Sequence, residues 1–262
     1  MELLQMKYFL AVAREESISR AADFLYITQP SLTRQIQSME KEVGQQLFVR
    51  GGKKMRLTEA GLGSVQTIGG RAFAYSALER MIIPDMVTNM GAGAFEMNFN
   101  LREVVLGGGL TSIPDYAFFG CSALSSVHIP ANIVYIASNA FAMCVSLSEV
   151  TFAEGSNLTQ IGSDTFAYSA LTEIALPDSL VMIGDKAFVN NYNLSSVAFG
   201  ENSTLQVIGD RAFAYAYSLE QIDLPKTLQR IGGFAFLQSG LRSVGLPASL
   251  IQLDAGAFAA CG

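Results

Sequence analysis

Residues Ser203–Pro225 read STLQVIGDRAFAYAYSLEQIDLP, and the box at their centre, Ile208-Gly209-x-x-Ala212-Phe213, recurs along most of the chain. Ile68 to Phe73, Ile183 to Phe188 and Ile231 to Phe236 repeat it, and looser copies end at Phe95, Phe118, Phe141, Phe166 and Phe258. Successive box phenylalanines, nine in all, stand 22 to 25 residues apart. Five or six residues after each of the first eight comes L-x-x-[VIM]-x-[LIF], usually closed by Pro or Gly. Examples are LSSVHIP from Leu124, LTEIALP from Leu171 and LEQIDLP from Leu219.

The spacing has a physical reading. In L-x-x-V-x-L the last two apolar positions are two apart, so they share one face of a short strand. Pro or Gly then ends the strand. The box adds a second apolar wall with Phe as its large filler. A single copy cannot bury its own apolar face, but stacked copies form a continuous core and a parallel sheet. The pattern predicts a solenoid over residues 63–262 with about eight to nine coils.

This repeat resembles the BspA-like leucine-rich repeat family. The resemblance implies an elongated right-handed solenoid with one short parallel strand per coil. Members of that family are often bacterial surface proteins that bind other proteins and carry an export signal.

Residues flanking the inward Val of each strand must point outward. One column runs Arg80, Glu103, Ser126, Glu149, Glu173, Ser196, Gln221, Ser243; the other runs Ile82, Val105, His128, Thr151, Ala175, Ala198, Asp223, Gly245. Small and apolar residues rimmed by carboxylates form a surface that can dock an unknown partner protein, or an ordinary solvated sheet. The candidate contacts are Glu103, Val105, His128, Glu149, Thr151, Glu173, Ala175 and Gln221.

Residue types that carry chemistry fall into structural places. Cys121, Cys144 and Cys261 each follow a box Phe by three, where other coils have Ser76, Asn98, Ser169 or Ser239. That is a stacked turn position rather than a metal or catalytic one. His128 is the only histidine, without a Cys/His spacing or acid partner in sequence. Gly107-Gly108-Gly109 lacks the following Lys-Ser/Thr of a phosphate loop and occupies a repeat turn. No catalytic, metal or cofactor site is expected.

Of the 262 residues, half are hydrophobic and 15% are charged. No apolar run reaches the roughly 18 residues of a membrane span. The N-terminal MELLQMKYFLAVAREESIS does not read as a secretory signal, and three cysteines do not make a disulfide framework. A soluble, cytoplasmic protein with no membrane partner is expected. Residues 1–62 hold nine Lys/Arg and seven Asp/Glu, while residues 63–262 hold eight and sixteen. A weakly basic head precedes an acidic body.

In the head, Leu3, Met6, Phe9, Leu10 and Ala13 fall at helical spacing. Ser17 can cap a second helix carrying Ala21, Ala22 and Leu25. After the turn Tyr26–Ile27, Thr28 caps a third helix with Pro30 in its first turn. Leu32, Ile36 and Met39 line its buried face and Gly44 stops it. Two helices joined by so short a turn make a helix-turn-helix, whose second helix can enter a major groove. Leu47-Phe48-Val49-Arg50, Gly51-Gly52-Lys53-Lys54 and Met55-Arg56-Leu57 then read as a basic-tipped hairpin, a wing.

The stretches MKYFLAVAREESISRAADFLYITQPSLTRQIQSMEKEVGQQLF and VRGGKKMRLTEAG resemble the DNA-binding domain of LysR-type transcriptional regulators. The resemblance covers residues 1–61 and implies a recognition helix at about 28–43 on double-stranded DNA. It places Gln29, Ser31, Thr33 and Arg34 near base edges, with Arg34 suited to guanine or phosphate. It also places Ser17, Arg50, Lys53, Lys54, Arg56 and Gln37 near phosphates. In that family T-E-A-G opens a long pairing helix that leads to a small-molecule domain. Here Thr58-Glu59-Ala60-Gly61 runs into Leu62-Gly63-Ser64, which resists helix continuation, and the coils follow at once.

Two functions are open to such a chain. One is a DNA-binding transcriptional regulator, head 1–62, with a repeat array in place of the ligand-binding domain. The other is a repeat protein of cell-surface type that binds proteins, its head only a cap or a fusion without joint function. The last box, Phe258 to Gly262, is not followed by an L-x-x-V strand. An uncapped terminal coil there would expose apolar surface and a strand edge, open to self-association.

Overall fold

The computed structural model describes residues 8–9, 11–13, 15–43, 46–51, 54–58 and 65–262. Leu3, Met6, Leu10, Gly44, Lys53 and the join from Glu59 to Ser64 lie outside the described residues, as do the side chains of Arg50, Lys54 and Arg56.

Residues 8–9 and 11–13 are helical, with Phe9 and Val12 buried. Helix α1 spans Ile18–Phe24, and the Ser17 hydroxyl accepts the Arg20 backbone N–H at 3.4 Å at its start. This is the expected cap. Ala21 and Ala22 are buried, so α1 can pack closely on its neighbour. Helix α2 spans Gln29–Val43, after a turn in which Tyr26 takes a left-handed φ of 55°. Leu32, Ile36 and Met39 are buried, as the spacing requires. Strands β1 (Phe48–Gly51) and β2 (Lys54–Leu57) pair antiparallel with Phe48 opposite Leu57. Phe9 and Phe48 meet at 5.1 Å and bring the hairpin onto the head's core.

The array follows the repeat. Six strands carry the L-x-x-V-x-L stretches: β4 (Arg80–Ile82), β6 (Glu103–Val105), β8 (Ser126–Ile129), β10 (Glu149–Phe152), β12 (Glu173–Leu176) and β14 (Ser196–Phe199). They pair in parallel as β4–β6, β8–β10 and β12–β14. The stretches at Leu219 and Leu241 are not strands; the first keeps the alternation, with Ile222 buried between exposed Gln221 and Asp223, while in the second Val244 is half-buried and Leu246 exposed. Gln221 therefore stands in an extended segment rather than in the strand its pattern suggests.

Besides the expected strand, each coil carries a second one, of two residues, the second of which is the first position of the box. These are β3 (Thr67–Ile68), β5 (Asn89–Met90), β7 (Ser112–Ile113), β9 (Tyr135–Ile136), β11 (Gln160–Ile161), β13 (Met182–Ile183), β15 (Val207–Ile208), β16 (Arg230–Ile231) and β17 (Gln252–Leu253). From β7 to β17 they form one seven-stranded sheet in register, Ile161 lying on Ile136 and Ile183. Two residues are too few to show a period, so this second ladder has no sequence signature.

The core is a set of columns. All nine box phenylalanines stack in a single file, neighbouring ring centroids 5.1–5.5 Å apart and planes within 16° of parallel. The residues two before and two after each Phe are left-handed, as at Arg71 and Tyr75 or Lys186 and Asn190. For side chains other than Gly that costs on the order of 1–2 kcal/mol each, which the inter-coil bonds oppose. The Phe166 N–H, for example, donates to Ala187 O at 2.8 Å. The box glycine has a separate cause: a Cβ at Gly184 would lie 2.7 Å from the Gly162 carbonyl carbon of the coil below. Gly107 and Gly109 likewise lie against the backbone of Ile83 to Val87. In the outermost coil Leu253 is 48% exposed, whereas its counterparts Ile113 to Ile231 are closed off on both sides.

Candidate nucleic-acid interface

At about 100° per residue, Ser31, Arg34 and Gln37 fall within roughly 60° of one line along α2. That line lies opposite the buried stripe of Leu32, Ile36 and Met39. All three side chains are exposed. The helix therefore offers a hydroxyl, a guanidinium and an amide along one ridge, a donor and acceptor set suited to base edges and phosphates.

Two residues expected beside them are engaged elsewhere. The Thr33 hydroxyl donates to Gln29 O at 2.9 Å, along its own helix. Gln29 is exposed but lies on the flank, where its Oε1 accepts the Ser19 hydroxyl at 3.0 Å. Ser19 was not legible as a positioning residue, because a contact ten residues apart has no local pattern. Ser17 caps α1, as above.

The wing is anchored by another residue that sequence reasoning passed over. Glu40, on α2, accepts the backbone N–H of Leu47 at 3.0 Å and of Phe48 at 3.3 Å. From the other side Met55 N–H donates to Glu16 O at 2.8 Å. The hairpin carrying Arg50, Lys54 and Arg56 is thus tied to α2 and to the turn before α1.

On the array both outward columns are exposed from Arg80 to Gly245. Arg80 pairs with Glu103 at 3.1 Å, and His128 Nδ1 lies 2.9 Å from Thr151 Oγ1 on the facing strand. The lone histidine thus sits in a cross-strand pair. Glu149, Glu173 and Ala175 face outward on β10 and β12, and Val105 on β6.

The cysteines are part of a capping ladder. Cys121, Cys144 and Cys261 direct their thiols at the carbonyls of Phe95, Phe118 and Phe236, each 3.2 Å away. Asn98 and Asn191 fill the same place, their amides donating to two successive Phe carbonyls. Burial pushes the Cys121 thiol up to about 12 and Cys144 well above the usual thiol range, so neither is a nucleophile at neutral pH. Among the described residues no group of His, Cys, Asp and Glu is placed to hold a metal ion. None of their helices is long and apolar enough to cross a membrane.

Known proteins match the two parts separately. Bacterial regulatory helix-turn-helix proteins of the lysR family match residues 3–62. The transcriptional regulator BudR of Klebsiella aerogenes is 52% identical over 61 residues, 23% of this chain and 43% of that protein. BenM of Acinetobacter baylyi is 49% identical over 61 residues, 23% of this chain and 20% of that protein. The chain thus spans less than half the length of either regulator. A solved leucine-rich repeat protein from Eubacterium ventriosum superposes with a TM-score of 0.61 at 25% identity, over 68% of this chain and 48% of that one. The BspA type leucine-rich repeat region matches residues 53–170 and 154–262, with six copies. The chain belongs to the BspA type leucine-rich repeat family, with a segment at residues 3–62 that resembles the lysR helix-turn-helix.

Proposed function

We propose that the protein is a DNA-binding transcriptional regulator in which residues 1–62 read duplex DNA and residues 63–262 bind a protein. The observation that carries the first half is the ridge of Ser31, Arg34 and Gln37, exposed opposite the buried stripe of α2, with the basic hairpin next in sequence. In this reading Arg34 contacts guanine or phosphate, while Ser31 and Gln37 contact neighbouring edges. Gln29 and Thr33 shape the start of the helix, and Ser17, Arg50, Lys53, Lys54 and Arg56 neutralise phosphates. Such a protein works where the chromosome is, in the cytoplasm.

The array's share is supported by its family and by two exposed columns with little charge pairing between Ser126 and Ser196. Glu149 and Glu173 stand on that face without a salt bridge among the described residues. They suit a partner that presents cations or backbone donors.

Selection from a randomised duplex library with the full chain tests the DNA half. Recovery of a defined motif supports it, and retention of no sequence above background at low salt overturns it. For the array half, Glu149→Lys with Glu173→Lys should abolish binding of its partner while the fold and DNA binding persist.

A further inference from the structure

The four residues after each box phenylalanine form a turn along one flank of the solenoid. Across nine coils these turns contain a single charged residue, Glu96, although 15% of the chain is charged. Glu96 is buried and paired with Arg71 at 3.0 Å. The flank is aromatic as well as neutral. Tyr75, Phe99, Val145, Tyr168, Tyr192 and Tyr217 stand out from it at 46–63% exposure. Tyr192 stacks on Tyr217 at 5.5 Å, and Tyr215 meets Tyr217 edge-on at 6.3 Å. Beneath them Ala142, Ala167, Val189 and Ala214 form a buried apolar seam separate from the main core. With Phe119, Tyr215 and Leu237 packed on it, this seam ties together the turns from Phe118 to Phe236, and the neutral ribbon runs on through the remaining turns.

A second copy of this chain fits the ribbon on charge and on size. Each copy carries a net charge of -6, and its acidic residues outnumber the basic ones two to one over residues 63–262. Two arrays meeting on the outward sheet would bring Glu103, Glu149 and Glu173 against like charges, and on the box turns Asp185, Asp210 and Asp254. On the ribbon they meet without like-charge contact. Eight steps of 5.1–5.5 Å between box rings set its length, roughly 42 Å, and four residues in a turn span at most about 14 Å across it. Two such footprints total at most about 1,200 Å², the lower end of stable interfaces. Exposed aromatic residues clustered on a neutral strip mark contact surfaces.

We propose that two copies pair through this ribbon about a two-fold axis, side by side along their turns. The inference goes beyond the DNA reading and does not depend on it, because its test reads mass in the absence of DNA.

The test is sedimentation equilibrium of the full chain from about 1 to 100 µM, at low and high salt. The expected result is twice the monomer mass, with a dimer dissociation constant that changes less than about threefold between 0.1 and 1 M salt, since no ion pairs close it. Tyr192→Glu with Tyr217→Glu should weaken the dimer by more than about thirtyfold without lowering Tm. If that variant misfolds, Tyr192→Ser with Tyr217→Ser should weaken it by roughly tenfold. Glu149→Gln with Glu173→Gln should leave it unchanged. A monomer at every concentration would overturn the proposal and leave the ribbon to a different protein. A dimer indifferent to both tyrosine pairs would overturn it too, and would point to another face, such as the outermost coil.

Discussion

Phe118 and Phe141, one coil apart, stack with ring centroids 5.2 Å apart and planes 9° from parallel, and neither exposes any surface. Both belong to a file of nine rings that is the spine of the array. Each ring touches only the rings above and below, so a defect in the middle separates two half-arrays. Phe141→Ala should cost about 3–5 kcal/mol, read as a lower Tm and denaturant midpoint. Phe258→Ala, in the outermost coil, should cost less. Equal losses at the two positions would contradict the stacked-column account.

The clamp from Glu40 to the wing gives a second expectation. Glu40→Ala leaves the N–H groups of Leu47 and Phe48 without their acceptor, and Leu47 is fully buried. The loss should be about 1–3 kcal/mol for the head, and Glu40→Gln, which keeps an acceptor oxygen, should lose about half of that. Hydrogen exchange at the Leu47 and Phe48 amides should accelerate in the alanine variant. Unchanged protection there would show that the hairpin is held by other means.

The buried thiols predict how stability responds to alkali. Cys121 is raised from 9.0 to about 12 by burial, the backbone hydrogen bond at Asn98 opposing it less strongly. The folded state therefore holds this proton more tightly than the unfolded chain. Its contribution is fully present below pH 9 and is lost as pH rises toward 12. Between those values wild-type stability should fall more steeply than that of Cys121→Ala, by up to about 1.4 kcal/mol per pH unit. Parallel slopes in urea titrations at pH 8, 9, 10 and 11 would contradict the assignment. A thiol reagent near neutral pH should reach Cys121 and Cys144 only after unfolding.

The sequence carried the architecture because the repeat is long and its large apolar residues are periodic. The Ile of each box, the inward Val and the stacked Cys positions all sit where their spacing puts them. Three features lacked such a signal. The second ladder is two residues wide, too short for a period. Most of the left-handed positions flanking each Phe carry side chains such as Tyr, Arg, Lys and Met, and only Gly93, Gly120 and Gly256 supply the Gly that would announce them. In the head, the family resemblance put Arg34 and Gln37 on α2, where both are exposed, but the bonds of Gln29 to Ser19 and of Thr33 along the helix backbone have no local pattern. Glu40 reads as an ordinary exposed helix carboxylate until the hairpin folds back onto it.

The central claim is that α2 reads sequence while the hairpin grips the backbone, and anisotropy titration of a selected duplex with the full chain tests it most directly. Five cations at the interface predict a slope of log affinity against log salt of roughly -4 to -5. Arg34→Ala should cost about 1–3 kcal/mol and level the difference between the selected duplex and a scrambled one. Lys53→Ala with Lys54→Ala should weaken both duplexes alike and flatten the salt slope by about two. No binding at low salt, or binding in which Arg34→Ala leaves the preference for the selected duplex intact, would contradict the account.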